Sequence, residues 1–478
     1  MSSENAEIKY VVEEINYAVA HNTGRPRTIL DVGCGIGLNG KAGKERGAYV
    51  VGLEIVPSSI ARAKLLLDEV KSANIENDEV LEALKGRTFD LIMFGDVLEH
   101  TIDPLGVLRR LSTLLADGGH VIVSLPNVAA WTVRFNLLAG KFAYEQSGIL
   151  DDTHLRFFTK VTATQLVEAA GLEVMRHDLN PMIVRGAKSI IRKRLLESQD
   201  GEVDPTKLMK SPLYQAYQKY FRPLEGLVAK AAPGLLAFQH VIIARKPPKP
   251  GKLALTIGIV TRDHEGTDER TIEQLIGDVR RYAPDAKILL ADSSTDRTAA
   301  LARAAGAEVI SEQPPLSGSR AMEQLMYAAA SRSEALIYLD AGYPVHMIPR
   351  IRELLEQGAD VVNVSSSPSG RFGINRALAA VTQAVHGLPT TDVHSGMRGY
   401  RSSVIRAFDF SGAGDALPLD TLILPSKSNY KVIEIPVEGT FAPARAKLRD
   451  AAWTLIRIAG AIGQGKRVKR GTSYQHRR

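Results

Sequence analysis

Short apolar runs alternate with helical patterns along most of this chain, and that alternation is its strongest constraint on fold. In the first half the runs are "TILDVG", "AYVVGLE", "FDLIMFG" and "GHVIVSLP", each ending near Gly, Asp, Glu or Pro. Stretches such as "SSIARAKLLLDEV" and "DPLGVLRRLSTLLADGG" fall between them and read as helices. Strands separated by helices of that length imply parallel βαβ units. The second half repeats the logic with "ALTIGIVT", "KILLADSS", "AEVIS", "ALIYLDA" and "DVVNVSS". Between the halves lies "KPPKPGK", residues 246–252, with three prolines and a glycine in seven residues. No helix or central strand continues through it, so it marks a domain boundary. With 478 residues, two or three domains are expected. The fold class read here is α/β in two domains.

The domain map expected from these patterns has four parts. Residues 1–246 form a first domain, with a Lys/Arg-rich helical insertion at about 186–232 before a last strand, "AFQHVIIAR". Residues 247–252 link it to a second domain, 253–450. Residues 451–478 hold an amphipathic helix around Trp453 and a basic tail.

Composition narrows the setting. The single cysteine, Cys34, allows no internal disulfide, which fits a reducing cytoplasm. The polar, acidic start "MSSENAEIKYVVEEI" has no apolar core of a signal peptide. No uncharged apolar run reaches the roughly 18–20 residues that span a bilayer. Net charge is +7, and residues 441–478 carry ten Lys/Arg against one acid, Asp450. The tail therefore makes the chain basic, and it suits contact with an anionic membrane surface at the inner face of the cell membrane. A solvated end is the plain alternative. An enzyme acting on RNA and gripping it through the tail ranks low, because the tail has few aromatics for stacking, Trp453 and Tyr474.

"LDVGCGIG" places Gly33, Gly35 and Gly37 between a strand and a helix, where a ligand can approach the backbone. The next strand ends in Glu54, seventeen residues after Gly37, an acid suited to two ribose hydroxyls. Glycines at alternate positions, with "FGDVLEH" after a later strand, point away from dinucleotides. The stretch from Asp31 to Asn127 resembles the class I S-adenosylmethionine-dependent methyltransferases, with "LDVGCGIG", "VVGLE", "FDLIMFGDVLEH" and "LLADGGHVIVSLPN" in order. "GILDDTHLRFFT" resembles members found beside bacterial surface-glycan enzymes.

That resemblance implies a Rossmann-like sheet and S-adenosyl-L-methionine as cofactor. It implies that Asp31, Gly33, Gly35 and Gly37 surround the methionine part, that Glu54 binds ribose, and that Asp96 lines the pocket. Asn74 stands where many relatives carry an aspartate against adenine. His154, in a loop beside Asp151 and Asp152, is a candidate general base for a hydroxyl, since an ordinary imidazole titrates near pH 6.5. His100 is a second catalytic candidate; with Glu99, it also reads as the plain start of a helix.

In the second half, Asp292 ends a strand before the polar run Ser293–Asp296, which also suits a helix cap. "ADSSTDRT", "IYLDAG" and "TTDVHSGMRGYR" resemble the family two glycosyltransferases of the GT-A fold, particularly the dolichyl- and polyprenyl-phosphate sugar transferases, over about 253–450. The resemblance implies a nucleotide-sugar donor and a sugar, glycolipid or polyprenyl-phosphate acceptor. Glu265 and Asp292 would face the nucleotide. Asp340 would meet Mg2+ or Mn2+ on the diphosphate and serve catalysis. Asp392 would lie near the acceptor as a second catalytic acid, and Arg398 and Lys447 near phosphate. The chain departs from that pattern at Gly342 and Pro344, where relatives carry a second acid and often an amide. A second domain that binds glycan or nucleotide without transferring sugar is therefore the alternative reading.

Overall fold

The computed structural model describes residues 26–145, 148–181, 228–261, 271–292, 294–311, 318–340, 342–366, 379–384, 388, 390–393, 395–408, 410 and 417–437. Glu265, Lys447, most of the expected insertion at 186–232, and the helix and basic tail of 451–478 lie outside the described residues. The chain divides into two compact units between Pro247 and Pro248, inside the proline-rich segment.

The first unit holds a seven-stranded sheet: β1 (Thr28–Val32), β2 (Tyr49–Glu54), β3 (Glu69–Ser72), β4 (Phe89–Gly95), β5 (Leu115–Pro126), β6 (Glu173–Pro181) and β7 (Ala237–Arg245). Their order is β3-β2-β1-β4-β5-β7-β6, parallel except that β7 runs against β5 and β6. Central strands are continuous apolar runs because helices cover both faces. Leu30, Val32, Leu53, Ile92, Phe94, Val121, Val123 and Ile242 belong to one buried core. Strand order reverses between β1 and β4, and ligands bind beyond the carboxyl ends of strands at such a reversal. Gly33, Glu54 and Asp96 all follow or close strands at that edge.

Two helical expectations are corrected. "SSIARAKLLLDEV" is helical only over Pro57–Ala63; Asp68 then turns the chain, its carboxylate accepting the Val50 N–H at 2.9 Å, and β3 begins at Glu69. "DPLGVLRRLSTLLADGG" is helical over Pro104–Ser112, capped by the Asp103 carboxylate, after which Leu115 already belongs to β5.

The second unit holds β8 (Leu255–Thr261), β9 (Lys287–Asp292), β10 (Glu308–Ser311), β11 (Ala335–Asp340), β12 (Val361–Ser366), β13 (Met397–Arg401) and β14 (Val432–Val437). Their order is β10-β9-β8-β11-β13-β12-β14, and β13 alone runs against its neighbours β11 and β12. Ile257, Ile259, Leu290, Ile337, Leu339, Val362 and Met397 build its core, closed by Ile272, Leu275, Ile276 and Val279 of the helix Ile272–Tyr282. Thr271 and Gln274 form a reciprocal capping box at the start of that helix. Both units are the α/β architectures expected from the sequence.

Candidate functional site

In the first unit, Gly33, Gly35 and Gly37 all adopt left-handed backbone, with φ of 62°, 54° and 87°. A Cβ on Gly33 would fall 2.5 Å from Val97 Cγ2, and one on Gly37 would fall 3.2 Å from Ala63 Cα. Space and dihedral angle thus both require glycine at these two positions. Asp31 is buried, and its Oδ2 accepts the Gly40 N–H at 3.0 Å, tying β1 to the helix Leu38–Lys44. Glu54 braces the turn: Oε2 accepts the Gly35 N–H at 2.8 Å, and Oε1 accepts those of Ile55 and Val56 at 2.7 and 2.9 Å. Asn74 follows β3, where its Oδ1 accepts the Glu76 N–H at 3.0 Å.

Asp96 closes β4 with φ 54°, a left-handed conformation uncommon outside glycine. Its Oδ1 accepts Ser124 Oγ at 3.1 Å and Gln239 Nε2, while Asn180 Nδ2 donates to Gln239 Oε1. Gln239 and Asn180 are buried. Sequence reasoning missed this Asn180–Gln239–Asp96 chain, which joins β4, β6 and β7. The amides sit in strands read as packing or not read at all, and no local spacing marks them.

His100 and His154, expected as catalytic candidates, come together although 54 positions apart: their rings meet edge to face with centroids 4.8 Å apart. The Glu99 carbonyl accepts the N–H groups of Leu155 and Arg156 at 2.8 and 3.0 Å, clamping the loop after β5 onto the short helical turn Leu98–His100. Glu99 and His154 are buried and His100 is exposed. His154 Nε2 lies 4.0 Å from Glu99 Oε1. Glu99 lies in that short helical turn, with its carboxylate within this cluster.

In the second unit, Asp292 is buried and Oδ1 accepts Thr261 Oγ1 at 3.0 Å and the Ser294 N–H at 3.2 Å. It thus braces the ends of β8 and β9. Asp296 accepts the Thr298 N–H at 2.9 Å, but the cap position of the helix Thr298–Ala304 is Arg297, with no side-chain cap hydrogen bond. Asp340 closes β11; its carboxylate accepts the Tyr338 hydroxyl and backs onto Gly396, where no Cβ has room. Burial pushes its carboxyl up to about 6, against the lowering effect of Tyr338. Gly342 lies outside the left-handed region, and a Cβ there would meet nothing within 4 Å.

Asp392 is buried, and its carbonyl accepts Asn363 Nδ2 at 2.8 Å. Arg398, expected near phosphate, is corrected. It is 0% exposed, and its guanidinium donates to Asn363 Oδ1, Thr421 Oγ1, and the carbonyls of Pro418 and Val393. A buried guanidinium must spend its donors within the fold, and this one pins β13 to β12 and the helix Leu417–Lys427.

Residues 5–177 match the model of a family described as a methyltransferase domain. A dolichyl-phosphate hexose transferase of Haloferax volcanii is 28% identical over 210 residues, covering 42% of this chain and 88% of that protein. A ubiquinone biosynthesis O-methyltransferase of Aeromonas salmonicida is 28% identical over 152 residues, 31% of this chain and 63% of that protein. The chain spans about half to two thirds of the length of several such O-methyltransferases. Among solved structures, a SAM-dependent methyltransferase from Archaeoglobus fulgidus is 17% identical with a TM-score of 0.34, covering 50% of this chain and 94% of that one. Both resemblances read from the sequence recur in the family model and the two curated relatives, and the N-terminal unit carries a methyltransferase domain.

Proposed function

We propose that the chain transfers a methyl group from S-adenosyl-L-methionine to a hydroxyl of a sugar, glycolipid or related surface-glycan intermediate. The carrying observation is the left-handed glycine turn braced by Glu54 at the point where strand order reverses. In this reading the backbone of the turn meets the methionine part of the cofactor, and Glu54 receives ribose hydroxyls. The acceptor oxygen attacks the methyl carbon in line, the sulfonium C–S bond breaks with its electron pair going to sulfur, and the hydroxyl proton leaves. The cofactor supplies the methyl group and its leaving sulfur. The protein's task is to hold the acceptor and assist proton loss, and the Glu99–His100–His154 cluster is the assembly of proton-accepting groups that supports this. The choice of a glycan acceptor rests on the resemblance of both halves to surface-glycan enzymes.

The second unit, in this reading, binds a nucleotide diphosphate-sugar with weakened metal dependence. Asp340 remains, while Gly342 and Pro344 bring no side-chain oxygen. The tail 451–478 is proposed to rest on anionic lipid where polyprenyl phosphates lie, at about 1 kcal/mol per engaged basic residue. The alternative, a unit that binds glycan or nucleotide without transfer, is favoured by the Tyr338 hydroxyl already held by Asp340. Thermal shift of the full chain with S-adenosylhomocysteine and a panel of nucleotide sugars tests both halves. A shift with S-adenosylhomocysteine supports the first reading, and none at millimolar ligand rejects it. Radiolabelled methyl transfer to lipid-linked glycan extracts tests the acceptor class, and flotation of a chain lacking 464–478 with anionic vesicles tests the tail.

A further inference from the structure

We infer that Gln239, backed by Asn180 and joined by Ser124, is a positioning residue for the methyl transfer and acts through Asp96. This rests on the proposed methyl transfer and adds to it the groups that set the backbone and side chain beside the glycine turn.

Asp96 follows β4 at the edge where strand order reverses, and its backbone is left-handed, with φ 54°. A residue other than glycine keeps such a conformation only where its surroundings hold it. Here the holding groups come from three strands. Ser124 of β5 takes both ends of the residue: its carbonyl accepts the Asp96 N–H at 3.3 Å, and its hydroxyl donates to Asp96 Oδ1 at 3.1 Å. Gln239 Nε2 of β7 donates to the same oxygen, and Asn180 Nδ2 of β6 donates to Gln239 Oε1. Ser124 and Gln239 are 0% exposed and Asn180 is 1% exposed.

This series of hydrogen bonds has a direction. A carboxylate only accepts, so Gln239 presents its NH2 group to Asp96 and its carbonyl oxygen to Asn180. Asn180 must then present its own NH2 group, because turning that amide over would set two carbonyl oxygens face to face. The Asn180 Oδ1 is left buried with no donor among the described residues. An unsatisfied buried oxygen is a cost to the fold, and two apolar side chains would pack β6 against β7 without it. What the two amides do at Asp96 accounts for them; packing does not.

Two links join Asp96 to the proposed cofactor site. Strand β4 pairs directly with β1, whose carboxyl end carries the glycine turn. Val97, the next residue after Asp96, packs against Gly33, so a change of backbone at Asp96 passes to the turn. Two donors on Oδ1 orient the carboxylate, and Ser124 fixes the backbone beneath it. Small displacements of such groups are costly to binding and to in-line attack.

The test is a double-mutant cycle on the full chain, read by calorimetric titration with S-adenosylhomocysteine and by thermal unfolding without ligand. Gln239→Leu should weaken binding by about tenfold, the loss for one charge-assisted hydrogen bond. Asp96→Gly, which keeps the left-handed backbone and removes the carboxylate, should weaken it by about tenfold or more. In the Asp96→Gly background, Gln239→Leu should add less than about twofold, because no carboxylate is left for it to act through. A purely structural Gln239 would lower the unfolding midpoint and leave the affinity of the folded chain alone. If Gln239→Leu fails to fold, Ser124→Ala takes its place in the cycle, with about a fivefold loss expected alone and none beyond Asp96→Gly. Affinity unchanged by the substitution at 239 or 124, or losses that add in the double variant, overturns the inference and leaves methyl transfer standing. No binding by the unsubstituted chain at millimolar ligand rejects methyl transfer, and this inference with it.

Discussion

Glu54 reaches back across the glycine turn to accept the Gly35 N–H at 2.8 Å, while its other oxygen accepts the N–H groups of Ile55 and Val56. One carboxylate thus fixes both the turn after β1 and the turn after β2, and in the proposed reading its remaining lone pairs accept from a ribose. Glu54→Gln leaves one accepting oxygen where two are used. It should weaken S-adenosylhomocysteine binding by about 10- to 100-fold, the range for a lost charge-assisted hydrogen bond. Isothermal calorimetry on the full chain checks it.

Gly33 packs against Val97. Gly33→Ala places a Cβ 2.5 Å from Val97 Cγ2 at φ 62°, so clash and backbone strain add. A loss of about 1–3 kcal/mol is expected in the unfolding transition that S-adenosylhomocysteine shifts. Adding Val97→Ala should recover only part of it, because the dihedral strain stays. Full recovery would place the cost in packing alone.

The sheet was readable where strands are buried on both faces, because an unbroken apolar run such as "FDLIMF" or "ALIYL" has few other uses. Edge and polar strands were not. "EVMRHDLNP" faces water along one edge and carries five polar or charged side chains, yet it is β6. "MRGYR" was read only as an acceptor motif, and it is β13, the reversed strand between β11 and β12 of the second sheet. Its arginines are buried because carbonyls of neighbouring elements satisfy them, a long-range condition that local sequence does not carry. The glycine turn and Glu54 were legible because their spacing is local. The meeting of Glu99 with His154 was not, since it depends on backbone bonds between distant loops.

Acid should destabilise the first unit before its carboxylates are exhausted. His120 and His240 are buried, and desolvation lowers each from 6.5 to about 4; Arg245 adds to the effect at His120. Each is neutral when folded and protonates more readily when unfolded. Their contribution is present above pH 6.5 and is lost as pH falls from there through 4, roughly 3 kcal/mol for each at the low end. His120→Gln should flatten the pH dependence of the unfolding free energy between pH 6.5 and 4. An unchanged slope would remove His120 from the account.

Asp340 behaves in the opposite sense. Its carboxyl is raised to about 6 by burial, so the folded state holds the proton more tightly than the unfolded chain. That preference favours folding fully below about pH 4, and it is lost as pH rises from there through 6. A metal needs the ionised form, so Mn2+ binding by the second unit should strengthen as pH rises from 5 to 7. Gly342→Asp supplies a second carboxylate without backbone strain and with room for its Cβ. It should tighten Mn2+ binding by about tenfold or more, read by calorimetry in the presence of a nucleoside diphosphate.

Cofactor binding by the full chain bears on all of this most directly. Calorimetric titration with S-adenosylhomocysteine should show one site per chain, strongly weakened by Glu54→Gln and unchanged by Asp340→Asn. No heat of binding at millimolar ligand, or equal affinity in the Glu54→Gln variant, would contradict a cofactor site at the Gly33–Gly37 turn.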